Sequence, residues 1–519
     1  MGRVHSPFFA FNRGEIAVNA LGRVDVERLR MSAETQINFM PTVLGPMMLR
    51  PGLQYVATVK NSGVGKLLPF MFAIDDEALI ELTETTMRVY TLASDVETLI
   101  SRPSVSTAVT NGDMSNTNGW AFTLLGSGNV AVVNSGTGSQ ADKMVLANVV
   151  TGGTARATQT VTVAGPDIGI EHAFSITVDN GPVMFRAGTT SGDQDLVAYT
   201  TLNTGYHSLA FTPTTSSVFI QFETDTAPTK VVDNCTIAAS GTMEVTTPWP
   251  SSVLSLLRYT QSGDVIFCAL DGYHQYKIER RSRRSWSVVK YLSSDGPYLA
   301  ANSTAITMTP GALYGNTTLT ASKGFFTAGH AGVLVKVFTD RQSTDNRLCA
   351  VNLYSDPVRV NGAGVDRVWS YTIGGTFVGT VILQRSEDSA TAGFVDVVAT
   401  TFSAASGPTD FNDALTNIVA WYRFRVSAYT SGTITITQRY AGGGGSGVAR
   451  ITTVGNATVA QIEILAPFTS LNPSTDWQMG DWSDSNGWPS SVAFHDGRLW
   501  WAGSSEIWGS VSDSYYNFN

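Results

Sequence analysis

The chain has 519 residues, 43% hydrophobic and 14% charged, with a formal net charge of −9. That length allows about three or four domains, and the acidic balance argues against a surface that attracts nucleic acid as a whole. No apolar run approaches the ~18–20 residues that span a bilayer, and the start, Met1-Gly2-Arg3-Val4-His5-Ser6-Pro7, lacks the apolar stretch of a secretory signal.

Residues 1–60 read as an N-terminal arm with one short helix. Asp25 can cap a segment in which Val26, Leu29, Ala33 and Ile37 recur at helical spacing, and Pro41 stops it. Phe8, Phe9, Phe11, Arg13, Arg23 and Arg50 surround that helix. Arms of this kind seldom bury themselves, so these six residues are candidates for contact with another subunit or partner chain.

Residues 61–103, 241–300 and 476–519 each carry a copy of one β-unit: an acidic turn, a short apolar strand, a second turn and a strand with polar alternation. The strands begin at Asp76, Asp264 and Asp496 and continue through Met87-Arg88-Val89-Tyr90, Tyr276-Lys277-Ile278-Glu279-Arg280 and Ile507-Trp508-Gly509-Ser510-Val511. Recurrence of one unit marks a repeat architecture, and units of this make suit propeller blades. A blade needs only ~40–50 residues, so large insertions must separate the copies. Closed propellers use at least four blades; a fourth is disguised, supplied by another chain, or encoded in further sequence.

The first insertion, 104–240, is rich in Gly, Ser, Thr, Asn and Val, with short alternating strands between turns, as in a β-sandwich. The second, 301–475, is also strand-rich, and its glycine run at 442–445 reads as a hairpin tip. The fold class expected is mainly β: a propeller-like scaffold with two large inserted β-sandwich or jelly-roll domains and a short N-terminal helix.

Signs of catalysis are weak. The six histidines include no pair at metal-ligand spacing, and no Gly-x-Ser-x-Gly elbow opens a helix. The stretch 61–66, Asn-Ser-Gly-Val-Gly-Lys, has the wrong glycine spacing for a phosphate loop and reads as a turn. Asp75, Asp76 and Glu77 sit where turns favour acidic residues for backbone reasons, against a glycosidase pair. Cys235, Cys268 and Cys349 share no metal or redox spacing and read as buried thiols made in a reducing cytosol. No enzyme, metal site or cofactor is expected.

One basic cluster runs against the net charge: Lys277, Arg280, Arg281, Arg283, Arg284 and Lys290, with Trp286 among them. It reads either as a solvated turn between blade strands or as a surface facing phosphate or another subunit.

The order of several motifs resembles a family of tail proteins from short-tailed bacteriophages, the tail nozzle or hub. These are Phe11-Asn12-Arg13-Gly14-Glu15, Asn38-Phe39-Met40-Pro41 and Arg50-Pro51-Gly52; Arg283-Arg284-Ser285-Trp286 and Asp295-Gly296-Pro297; then Gly480-Asp481-Trp482-Ser483, Gly487-Trp488-Pro489 and Phe494-His495-Asp496-Gly497-Arg498-Leu499. The resemblance implies a virion protein, made in the host cytoplasm, in which six copies form a ring around the channel for double-stranded DNA. It also implies docking on a head-to-tail adaptor and on fibre or spike proteins. Residues 104–240 depart from the simplest members and resemble jelly-roll carbohydrate-binding modules, with Asp233 at the closing acidic position and Ser115 where a calcium-binding carboxylate is expected. That insert implies an alternative function, binding of host-surface glycan.

Overall fold

The computed structural model describes residues 10–20, 22–23, 25–73, 76–93, 96–126, 128–134, 142–339 and 341–519. The chain divides after Thr58. Among the described residues of the first unit no apolar side chain is buried, and Val43, Leu44 and Leu53 are 92%, 94% and 86% exposed. The expected helix is reduced to a five-residue 3₁₀ turn, Glu27–Met31, which has no side-chain cap. Asp25 pairs with Arg23 instead, and the other regular elements among the unit's described residues are a three-residue 3₁₀ turn, Val18–Ala20, and a strand pair, Phe39–Pro41 with Met47–Leu49. The physical reason lies in helix energetics: a short isolated helix is marginal without a surface to bury its apolar stripe, and the described residues of this unit form no core.

The second unit is mainly β. Each of the three repeated motifs forms an antiparallel meander. Meander I contains Lys66–Ala73, Asp76–Thr83 and Thr86–Ala93, with Val245–Thr246 added at one edge. Meander II contains Arg258–Ser262, Val265–Leu270, Tyr273–Ser282 and Ser285–Lys290, and meander III Ser491–His495, Arg498–Gly503 and Glu506–Gly509. They pack in series. Ile80, Leu82 and Val89 of meander I meet Ile266, Cys268, Ile278 and Val288 of meander II, around Trp249 and Trp286. The opposite face of meander II presents Phe267 and Ala269 to Val492, Leu499 and Trp501 of meander III. Hence Ile266 to Leu270 is a continuous buried run, as required of a strand covered on both faces. Serial face-to-face packing is how neighbouring propeller blades meet.

Residues 104–240 form the expected sandwich. One of its sheets contains Val197–Leu202, Val183–Gly188, Ser217–Thr224, Thr154–Thr162 and Ala121–Leu125. Phe174, Phe185, Phe222 and Trp120 fill the core against the other sheet. Trp120 is thus a core anchor, its indole N–H donating to Asn111 O at 3.2 Å. The ends of the insertion meet where Arg102 pairs with Gly241.

The second sheet of this sandwich does not stop at the boundary with the scaffold. Its strand Gly205–Phe211 pairs with Ser285–Lys290, so meander II and five sandwich strands make one nine-stranded sheet. Gly205 (φ +145°) is needed there, because a Cβ would lie 2.3 Å from Val288 O. Beside this seam Arg102 and Arg284 share Glu171, at 2.9 Å and 2.5 Å.

Residues 301–475 divide in two. A six-stranded sheet includes Leu334–Thr339 beside Gly445–Asn456, and a second sandwich of two four-stranded sheets is inserted between those two strands. The glycine run at 442–445 is therefore the return from the nested sandwich rather than a hairpin tip: Ile434–Tyr440 before it and Gly445–Asn456 after it lie in different sheets. The three cysteines are buried free thiols.

Trp286 is fully buried between meanders I and II, edge-on to Phe70 at 5.1 Å. Trp286→Ala should cost about 3–5 kcal/mol, read as a lowered denaturant midpoint; a loss below about 1 kcal/mol would show that the two meanders do not depend on this contact.

Candidate functional site

Alternation along strand Tyr273–Ser282 sends Lys277 and Glu279 to the face of the sheet opposite Ile278. Lys277 is 4% exposed, its ammonium 2.7 Å from Glu279 and donating to the Tyr516 hydroxyl at 2.8 Å. Arg281 reaches the other Glu279 oxygen at 2.6 Å and Thr200 Oγ1 at 2.9 Å. Arg280 joins Asp76 and, at 3.1 Å, Asp264, while its guanidinium lies over the Phe72 ring. Arg284 takes Glu171 and the Ser101 carbonyl. The sequence cluster is therefore not one patch. Four of its cations pair with carboxylates of this same chain, and their acids come from meander I, meander II and the first sandwich. Arg283 and Lys290 are exposed. Of the acidic candidates in the first turn, Asp76 is spent on Arg280, and Asp75 lies outside the described residues.

His207, on the seam strand, belongs to this network and was not singled out by spacing or motif. Its Nδ1 is 2.8 Å from Ser287 Oγ, and its Nε2 is 2.9 Å from Asn203 O. A carbonyl can only accept, so Nε2 carries the proton and Nδ1 accepts from the serine. Burial, then the Arg281 charge, push the imidazole down to about 4.

The solvent face of the five-stranded sheet carries a second constellation. Register places Arg156 beside Glu223, and Gln221 between Thr158 and Arg186. Glu223 accepts from Arg156 Nε at 2.9 Å, from Gln221 Nε2 at 2.7 Å and from the Tyr199 hydroxyl. Burial raises the Glu223 carboxyl, but the hydrogen bonds from Tyr199 and Arg156 outweigh it and hold the group below its ordinary range. Burial and that same hydrogen bond raise the Tyr199 phenol. The Arg186 guanidinium lies 5.4 Å from the Tyr199 ring centroid, and its buried Nε has no partner. Beside them a groove of about 270 Å³ runs over Thr158, Thr160, Phe219 and Gln221, walled by Gly119 and by Asp193. Hydroxyl, amide, carboxylate and aromatic groups along a groove suit a polyol: polar groups fix its hydroxyls and the ring covers its carbon face.

The loop resembling a calcium site closes on itself. Ser115 donates to Asn111 Oδ1 and Asp113 Oδ1, both at 3.0 Å, and Asp233 lies 3.8 Å from Lys143. Among the described residues no three His, Cys, Asp or Glu side chains gather to hold a metal ion.

Of the arm residues, Phe8 and Phe9 lie outside the described residues. Arg13 and Arg50 hold the arm through their backbone, Arg13 N donating to Met31 O and Arg50 N to Asn38 O. Phe11 N likewise donates to Gly45 O, while Arg23 is tied to Asp25. Among the described residues no helix is long and apolar enough to cross a membrane.

No family model matches the chain, and no curated protein does. Among solved structures it is similar to Streptomyces albus HEPD with 2-hydroxyethylphosphonate and Fe(II) bound, at 9% identity over 62% of this chain and 76% of that one, with a TM-score of 0.12. Procruciferin, an 11S globulin from Brassica napus, gives 10% identity, 66% and 87% coverage and a TM-score of 0.10. Scores this low carry no argument about fold or function.

The His207 shift has a definite sign. Its folded value of about 4 lies below the unfolded value of 6.5, so the unfolded chain takes up the proton first and stability falls as pH drops from about 6.5 towards 4. The unfolding free energy should fall across that window by up to about 1.4 kcal/mol per pH unit per group, read from denaturant titrations. His207→Gln should reduce the slope without abolishing it, because buried His274, pushed down to about 3, contributes with the same sign; an unchanged slope in that variant would remove His207 from the account.

Proposed function

We propose that this chain is a structural virion protein of a short-tailed phage, a tail nozzle or hub. Six copies would form a ring that encloses the channel for genome exit and docks on a head-to-tail adaptor. The observation that carries the reading is the serial packing of three blade-like meanders, each built from motifs that occur in the order shared with that family. Three blades are fewer than a closed propeller uses, and a ring of copies is one way to cover the remaining sheet faces and edges. The coreless arm supports the same reading, since its exposed apolar side chains need another surface. With most of the clustered cations neutralised inside the chain, a channel built from it would let DNA pass without gripping it. Mass photometry and electron microscopy of the purified protein, alone and with the adaptor, should show six-fold rings with an axial channel. A particle that stays monomeric under every condition would overturn the proposal.

A second reading rests on the sandwich groove: the insert would bind host-surface glycan weakly through Gln221 and Asp193 of the groove and the adjoining Arg186, Tyr199 and Glu223. On a glycan array the intact protein should select a small set of sugars, and Tyr199→Ala should abolish selection without changing assembly. Selection that survives both Tyr199→Ala and Arg186→Ala would place glycan binding elsewhere.

A further inference from the structure

A cleft of about 650 Å³ lies where four parts of the second unit meet: the sandwich turns near Pro182 and Asn203, meander II, the six-stranded sheet and the C-terminal segment. Lys277, Lys290 and Arg450 line it, and Glu463 is its only lining carboxylate. That carboxylate is already engaged, since Lys230, itself 2% exposed, holds it at 3.0 Å from behind. Glu279, the partner of Lys277, is shared with Arg281.

The two remaining cations have no carboxylate. Arg450 donates only to carbonyls, Gly332 O at 3.1 Å and Ser293 O at 2.5 Å. The Lys290 ammonium has no hydrogen bond or ion pair with any described residue. The nearest further acids, Asp179 and Asp484, are themselves engaged, by Lys143 and by the Trp488 indole N–H at 2.9 Å. Lys230, Lys277 and Arg281 thus share two carboxylates, and Lys290 and Arg450 add two cations without an ion pair, in a chain whose net charge is −9.

Like charges gathered at a semi-enclosed site repel one another, and a bound anion relieves that repulsion more effectively than it would in open water. Leu292, Leu465 and the Tyr516 ring supply apolar wall between the charges. The volume falls within the range of small-molecule sites and is far too small for a duplex. We propose that this cleft binds a small organic polyanion, a carbon framework bearing two or more phosphate or carboxylate groups. Lys290 and Arg450 supply the free charge, and Lys277 is held ready by Tyr516. The inference is independent of the tail reading, because it rests on one chain.

The test is calorimetry on the full chain with citrate and with fructose 1,6-bisphosphate, using glucose and sodium chloride at matched ionic strength as controls. One saturable site per chain is expected for at least one of the two polyanions, with affinity falling as salt rises; which one binds separates carboxylate from phosphate as the preferred group. Lys290→Ala removes a side chain with no partner, so the fold should survive while affinity drops at least five-fold. Leu465→Glu builds a carboxylate into the wall and should abolish binding while raising the melting temperature. Saturable binding of neither polyanion, or binding unaffected by Lys290→Ala, would overturn the proposal. Competition by a short DNA duplex would do so as well, since it would mean an open cationic surface rather than a cleft.

Discussion

Backbone pairing between Gly205–Phe211 and Ser285–Lys290 is the constraint on which the second unit depends. It makes one sheet out of a scaffold meander and an inserted sandwich, so strand Ser285–Lys290 is no edge, and Trp286 and Val288 are held at fixed height against meander I. A sheet that is continuous across an insertion transmits position rigidly, unlike two domains joined at a pair of linkers. The insertion ends do meet at Arg102 and Gly241, as an inserted domain requires, but the segment is also bound along its flank.

Electrostatics follows from that geometry. The seam brings Glu171 and Thr200 of the sandwich within reach of Arg284 and Arg281. Charges removed from water must be paired or hydrogen-bonded, and the short distances at Glu279, Glu171 and Asp76 meet that requirement. Four of the six clustered cations, Lys277, Arg280, Arg281 and Arg284, therefore mark a junction between elements. Where the pairing is incomplete, around Lys290 and Arg450, a cleft opens and the excess charge faces it.

The first unit obeys the opposite rule. It has strands, turns and internal hydrogen bonds but no buried apolar side chain among its described residues. Backbone order without a core cannot offset the entropy of ordering by itself. Such a segment gains stability only from a surface that covers its apolar side chains.

Much of the fold was legible from local pattern. The three meanders could be read from strand alternation and acidic turns, because period-two burial and turn chemistry are properties of a few adjacent residues. The sandwich at 104–240 and the buried cysteines could be read for the same reason. The helix expected through Ala33 and Ile37 could not be trusted to pattern, since a helical stripe is stable only if a surface exists to cover it, and none is present in its unit. The candidate sites were the least legible. His207, Glu171 and Glu463 lie far in sequence from most of the groups they serve, and only the tertiary fold puts them together. Sequence by itself determined which segments would be strands and where they would turn, because those preferences are local. Which faces are covered, which charges find partners and where a cleft remains were decided by tertiary structure, because burial and Coulomb energy depend on distances that no local pattern contains.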